Sequence, residues 1–297
     1  FSCALNNSHV ASIFRHLSGM VTLMLKAPTE IKGKLMLPED VKPTRGGHLG
    51  SLYRLDLIAM SLADLPSWLP LLPNFKVLGL SHNTELKMVP PVVGKLKTLQ
   101  NLVIDNIGLE EVPVWLGTNL TELRRFWANS NRIRSLPPEF GQLRRLFTFH
   151  MHGNNLTSLP TEFGRLTNLL RLGLAGNELR SVPQIITTGG GEKLQLGALP
   201  GLRSLDISGN NITRLPSPWR EVVADQSPQA AVLSIEDVES LGQKRSNTLL
   251  VSMANNSFPT APGSSDLAWE VAMAEDDPLR VVLSMNASCN PGCEEYY

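Results

Sequence analysis

The chain has 297 residues, with 27 basic and 27 acidic side chains that balance to a formal net charge of zero and a pI near 7.2. That balance excludes a nucleic-acid binder driven by bulk charge, and no run approaches the roughly 18 uncharged apolar residues that span a bilayer. Leucine is the excess, 49 residues against 6% aromatic and 18% charged side chains, which points to leucine held at fixed structural places.

In chain order, residues 8–17 come first: Ser8 is a candidate N-cap, and Val10, Ile13, Phe14 and Leu17 share one helical face, as expected of a helix lidding a stacked array. Met20-Val-Thr-Leu23-Met-Leu25 then echoes Leu52-Tyr-Arg-Leu55-Asp-Leu57. From Leu52 the frame LxxLxLxxNxL recurs, starting again at Phe75, Leu99, Leu123, Leu146, Leu169, Leu202 and Thr248. Val281-Val-Leu283, with Asn286 in the asparagine place, reads as the last copy, giving ten copies of one strand.

Each column has a physical task. The fourth and sixth positions send alternate side chains of a short strand into the core. The ninth is asparagine at Asn83, Asn131, Asn154, Asn177, Asn210, Asn256 and Asn286, an amide able both to donate to and to accept from turn backbone; Met60 and Ile107 interrupt the column. An aliphatic–proline pair follows, as in Leu65-Pro66, Val112-Pro113, Leu136-Pro137 and Leu159-Pro160, fixing φ as the chain leaves the turn. Gly94-Lys-Leu96, Gly141-Gln-Leu143 and Gly164-Arg-Leu166 predict a helical return on the outer side. Regularity is lost after residue 186: residues 187–191 read as a flexible bulge and residues 234–241 as a short helix with an acidic first turn.

The combined pattern LPxxFGxLxxLxxLxLxxNxL, clearest over residues 136–182, resembles the leucine-rich-repeat family across nearly the whole chain. The resemblance implies an α/β solenoid, a horseshoe with about ten parallel strands on the concave face and an N-terminal capping helix. One domain is expected, comprising a cap (1–19), repeats (20–186, most regular from 52), a repeat with insertions (187–247), and irregular repeats with a C-terminal cap (248–297). It further implies a concave face that binds a protein or peptide, without chemistry of its own. The 23-residue unit is similar both to repeats of intracellular Ras-pathway scaffolds and to receptor ectodomains of plants and protists.

The second, third, fifth, seventh and eighth positions are expected to line the concave face. In the middle repeats they are Arg124, Arg125, Trp127, Asn129 and Ser130, then Phe147, Thr148, His150, His152 and Gly153, then Leu170, Arg171 and Gly173. Trp127 and His150 are expected side by side. A tryptophan beside arginines and a phenylalanine has the composition of a binding hot spot. Arg124, Arg125, Trp127, Asn129, Phe147, His150, His152 and Arg171 are therefore the candidate partner-binding residues. Gly79 and Gly173, both at the fifth position, are expected to leave the centre of the face open. His150 and His152 point to one face, yet the neighbouring Trp127, Asn129, Gly173 and Ala175 supply no third ligand, so neither metal nor cofactor is expected. No nucleophile elbow, phosphate-cradling loop or His-Glu-x-x-His motif is present, and no enzymatic activity is expected.

The remaining signals concern compartment. Cys289-Asn-Pro-Gly-Cys293 encloses a turn, so a local disulfide between Cys289 and Cys293 is expected, with Cys3 left to pair elsewhere. Asn-x-Ser/Thr acceptors stand at Asn6, Asn119, Asn155, Asn211, Asn255 and Asn286, where chance gives about three. With the low charge content these favour an exported, extracellular or lumenal protein. A cytosolic signalling scaffold and a structural subunit of a larger complex are the alternatives. A chain that opens on Phe1 is expected to be a processed chain or a fragment.

Overall fold

The computed structural model describes residues 7–16, 19–26, 36–40, 43, 49–187, 199–214, 248–253, 256, 269–271 and 280–284. A helix, α1 (Asn7–His16), precedes the strands β1 (Thr22–Lys26), β2 (Arg54–Ile58), β3 (Val77–Gly79) and β4 (Asn101–Val103). After helix α2 (Val114–Asn119) come β5 (Arg125–Trp127), β6 (Thr148–His150) and β7 (Arg171–Gly173), then α3 (Gln184–Thr187), β8 (Ser204–Asp206), β9 (Thr248–Ser252), β10 (Trp269–Val271) and β11 (Arg280–Ser284). The strands form one sheet in the order β1 to β9, then β11 and β10, parallel throughout except for the antiparallel β10–β11 pair. This is the α/β solenoid that the repeat implies.

The register follows the frame. Leu23, Leu55, Leu78, Leu102, Phe126, Phe149, Leu172, Leu205 and Val251 lie in one lateral row, and each of these fourth-position side chains is buried. The last copy departs from expectation: Leu283, not Val281, lies opposite Val251. A slip of two residues preserves the period-2 alternation, so the Val-x-Leu pattern is compatible with either register. In the middle repeats the core is aromatic. Phe126 stacks on Phe149 at 5.5 Å between centroids, and Phe149 meets the edges of Phe140 at 6.0 Å and Phe163 at 5.0 Å. At the N-terminal end α1 buries Val10 and Phe14, and Phe14 lies 5.9 Å from Trp68.

The turns explain the asparagine column. Asn154 Oδ1 accepts from Ile133 N–H at 3.1 Å while its Nδ2 donates to Ala128 O at 2.9 Å and Met151 O at 3.1 Å, and Asn177 repeats this one turn on. Where the preceding turn lacks its own asparagine, the next one accepts twice. Asn83 Oδ1 takes both Met60 N–H (2.9 Å) and Leu62 N–H (3.2 Å), and Asn131 Oδ1 takes Ile107 N–H (3.1 Å) and Leu109 N–H (3.0 Å). The eighth position is left-handed in seven successive repeats, at Ala59, His82, Asn106, Ser130, Gly153, Gly176 and Gly209. It is thus a turn position, which suits the asparagine and the three glycines found there. The two turns without asparagine add a second left-handed residue, Ser61 and Gly108.

On the outer side each proline leads into a short return: 3₁₀ turns at Pro91–Lys95, Pro138–Gln142 and Thr161–Arg165, and α2. The returns stack so closely that a Cβ at Gly141 would overlap the carbonyl of Glu162 in the next one. The bulge after residue 187, the helix expected at 234–241, Cys3, Cys289 and Cys293 lie outside the described residues.

Candidate functional site: the concave face over β5–β7

Alternation along β5, β6 and β7 turns the third and fifth positions away from the core. The third-position row reads Arg125, Thr148, Arg171; the fifth reads Trp127, His150, Gly173, continuing to Asp206 on β8. Trp127 and His150 are lateral neighbours, as expected, with their rings edge to face at 6.3 Å. Arg124, Arg125 and Arg171 are exposed, and Trp127, Asn129, Phe147, His150 and His152 are half-buried. The Arg125 guanidinium lies over the Phe147 ring, 5.0 Å from its centroid. Among the described residues the ion pairs are Arg54–Asp56, Arg132–Glu110 and Arg145–Glu122; Arg124, Arg125 and Arg171 take no part in any.

The seventh position carries a ladder that sequence reading missed. Asp105 Oδ1 accepts from Asn129 N–H at 2.6 Å, Asn129 Oδ1 from His152 N–H at 2.8 Å, and His152 Nδ1 from Ala175 N–H at 3.2 Å. Each side chain thereby satisfies the backbone one strand further on. The signal was present as a column of acceptor-bearing residues, Asp105, Asn129 and His152, at one frame position. Accepting at Nδ1 places the neutral His152 proton on Nε2 and holds the ring over Gly173, where a Cβ would overlap Nε2 and Cε1. The same holds at Gly79, which a Cβ would drive into the Asp56 carboxylate. Both glycines are therefore seats for neighbouring side chains, and the expectation of an open floor at Gly79 and Gly173 is corrected. Thr148, expected to be exposed, is 3% exposed, and its hydroxyl has no hydrogen-bond partner among the described residues.

Burial sets the titration of this face. It holds His150 down at about 4, aided by the positive fields of His152 and Arg171 and opposed by Asp206. It lowers His152 in the same way, again against Asp206. It pushes Asp105 up to about 6 against the hydrogen bonds from Asn129. Near pH 7 both histidines are thus neutral, His152 accepting from Ala175 N–H and His150 set against the Trp127 ring. Among the described residues no cluster of three His, Cys, Asp or Glu side chains could hold a metal ion, and no helix is long and apolar enough to cross a membrane.

Three of the six glycosylation candidates are described. Asn119 Nδ2 donates to Gly94 O at 3.2 Å and Asn155 Nδ2 to Glu178 Oε1 at 2.7 Å, both from half-buried residues, whereas Asn211 is exposed. Asn6, Asn255 and Asn286 lie outside the described residues.

Comparison with known proteins agrees with the geometry. The family model described as Leucine Rich Repeat matches residues 201–221. A probable inactive serine/threonine-protein kinase, roco10 of Dictyostelium discoideum, is 30% identical over 95 residues, 31% of this chain and 4% of its own length. The mouse (Mus musculus) leucine-rich repeat and calponin homology domain-containing protein 1 is 31% identical over 111 residues, 37% of this chain and 15% of its own. The chain thus spans a small fraction of these relatives. Among solved structures, an internalin (inlF) from Listeria monocytogenes aligns with a TM-score of 0.50 at 20% identity, over 71% of this chain and 56% of that one, a likeness of fold. Residues 201–221 match the leucine-rich-repeat family, and the repeat frame with the sheet built on it gives the chain the leucine-rich-repeat fold.

Proposed function

We propose that the chain is a non-catalytic recognition module that binds a protein or peptide across β5–β7, centred on Trp127 and His150. The leucine-rich-repeat fold is that of a protein-interaction module, and one observation picks out this part of it. Arg124, Arg125 and Arg171 are exposed around a half-buried tryptophan, and none of them is in an ion pair among the described residues. Large aromatic and arginine side chains concentrate binding energy because they bury much area at low entropic cost. A display library of random dodecapeptides, selected on the immobilised chain, tests the reading. Binders are expected to lose at least about tenfold in affinity on Trp127→Ala with Arg125→Ala; binders indifferent to that change place recognition elsewhere.

Export is the second part of the proposal, supported by the six acceptor sequences and the terminal cysteines. Asn211, exposed at the end of its turn, is the described acceptor best placed for a glycan. Intact mass of a native preparation decides: unmodified masses at all six asparagines with free thiols at Cys289 and Cys293 contradict export.

A further inference from the structure

Thr148 sits in the middle of the proposed site and is at odds with its surroundings. It is 3% exposed, its hydroxyl is buried, and that hydroxyl has no partner among the described residues. A buried unpaired hydroxyl destabilises a fold, and valine would fill the same volume without that penalty. The register puts Arg125 on one side of Thr148 and Arg171 on the other, two strand spacings or about 10 Å apart between Cα atoms. Both arginines are exposed and outside every ion pair of the described residues. Asp206, beside Gly173 in the fifth-position row, accepts from Ser208 N–H at 3.1 Å and Ser208 Oγ–H at 2.7 Å. Arg125 rests on Phe147, a contact that leaves its N–H edges for other acceptors.

We infer that Arg125, Thr148 and Arg171 form an oxyanion clamp that receives an acidic side chain of the bound peptide, a carboxylate or a phosphate. The two guanidinium groups approach the anion from the flanking strands β5 and β7 and donate N–H bonds, and once the side chains over the buried Thr148 shift to admit the anion, its hydroxyl gains the acceptor it lacks among the described residues. The spacing suits a planar or tetrahedral oxyanion held between two forks. The clamp adds the partner's chemistry to the concave-face reading and rests on it. His150 lies beside the clamp, within the field of Arg171, and its own positive charge is suppressed. A bound anion offsets that field, so the imidazole should titrate at higher pH in the complex.

The peptides selected on the immobilised chain provide the test. The clamp predicts that they carry an Asp or Glu at a recurrent place, and that changing this residue to Asn or Gln weakens binding by about tenfold or more. Arg125→Gln with Arg171→Gln should abolish the difference between the acidic and amide forms. Thr148→Val should weaken the acidic peptide by about three- to tenfold while leaving the melting temperature of the free protein unchanged or higher. A synthetic phosphoserine version of the same peptide identifies the source: tighter binding than the Asp form assigns phosphate, weaker binding assigns carboxylate. Peptides that require Trp127 but show no acidic residue, and ignore both arginine changes and Thr148→Val, overturn the clamp and leave the concave-face reading standing. Peptides that ignore Trp127 as well overturn both.

Discussion

The concave face is built twice in different materials. Over β2–β4 it is closed on itself. Arg54 Nε meets Asp56 Oδ2 at 2.5 Å with Asp56 2% exposed, the carboxylate covers Gly79, and Val77, Ser81 and Val103 are buried. Over β5–β7 the same rows hold arginines and a buried hydroxyl that have no ion-pair or hydrogen-bond partner among the described residues, and a half-buried tryptophan. The backbone register is continuous between the halves, so the difference lies in side chains alone. A repeat scaffold supplies equivalent positions, and what occupies them decides whether a stretch is finished in isolation or completed by something else.

The largest expected effect tests what the halves share. Phe149 contacts Phe126, Phe140 and Phe163, and Phe149→Ala should cost about 3–5 kcal/mol in chemical denaturation. A loss below about 1 kcal/mol would mean that the aromatic core does not tie the open half to its neighbours. Next comes the contrast in charge. Arg54→Ala strands the buried Asp56 carboxylate and should cost about 3 kcal/mol, whereas Arg125→Ala should move stability by no more than about 0.5 kcal/mol. Equal costs at both arginines would erase the distinction between a closed and an open half.

Much of this was legible in the sequence. Two columns repeating every 23 or 24 residues gave the strands, the asparagine turns and the lateral pairing of Trp127 with His150, because period-2 alternation together with the fixed place of the turn asparagine leaves one register in the regular repeats. The closure of the face was not legible. Gly79 and Gly173 read as gaps, while the groups that fill them, Asp56 and His152, come from neighbouring strands and depend on rotamers that no spacing reveals. Thr148 read as exposed for the same reason. The left-handed eighth position was in view as Gly153, Gly176 and Gly209, but Ala59, His82 and Ser130 hid it by adopting an unfavourable conformation within the same stack.

A smaller effect separates the turns. Asn83 accepts two backbone N–H groups and Asn154 one, so Asn83→Ala should exceed Asn154→Ala by about 1 kcal/mol in matched denaturation experiments. The reverse order would contradict the role given to the turns that lack asparagine.

The pH dependence is subtler. His150, at about 4 against an ordinary 6.5, binds fewer protons folded than unfolded between those values, so it lowers stability as pH falls through that window, and His152 acts in the same sense. Asp105, at about 6 against 3.8, binds more protons folded and opposes them, its contribution being lost as pH rises toward 6. Asp105→Asn should steepen the fall of melting temperature from pH 7 to pH 4, and His150→Gln should flatten it. Parallel profiles for both variants would contradict the burial assigned to these groups.

The claim that β5–β7 is the unfinished half is tested most directly by hydroxyl-radical footprinting of the chain with and without a selected peptide. The account predicts that Trp127 and Phe147 become protected while Tyr53, just before β2, and Met24, on β1, at the other end of the face, oxidise at unchanged rates. Unchanged oxidation of Trp127, with protection at Tyr53 or at Trp115 on the outer side, would contradict it.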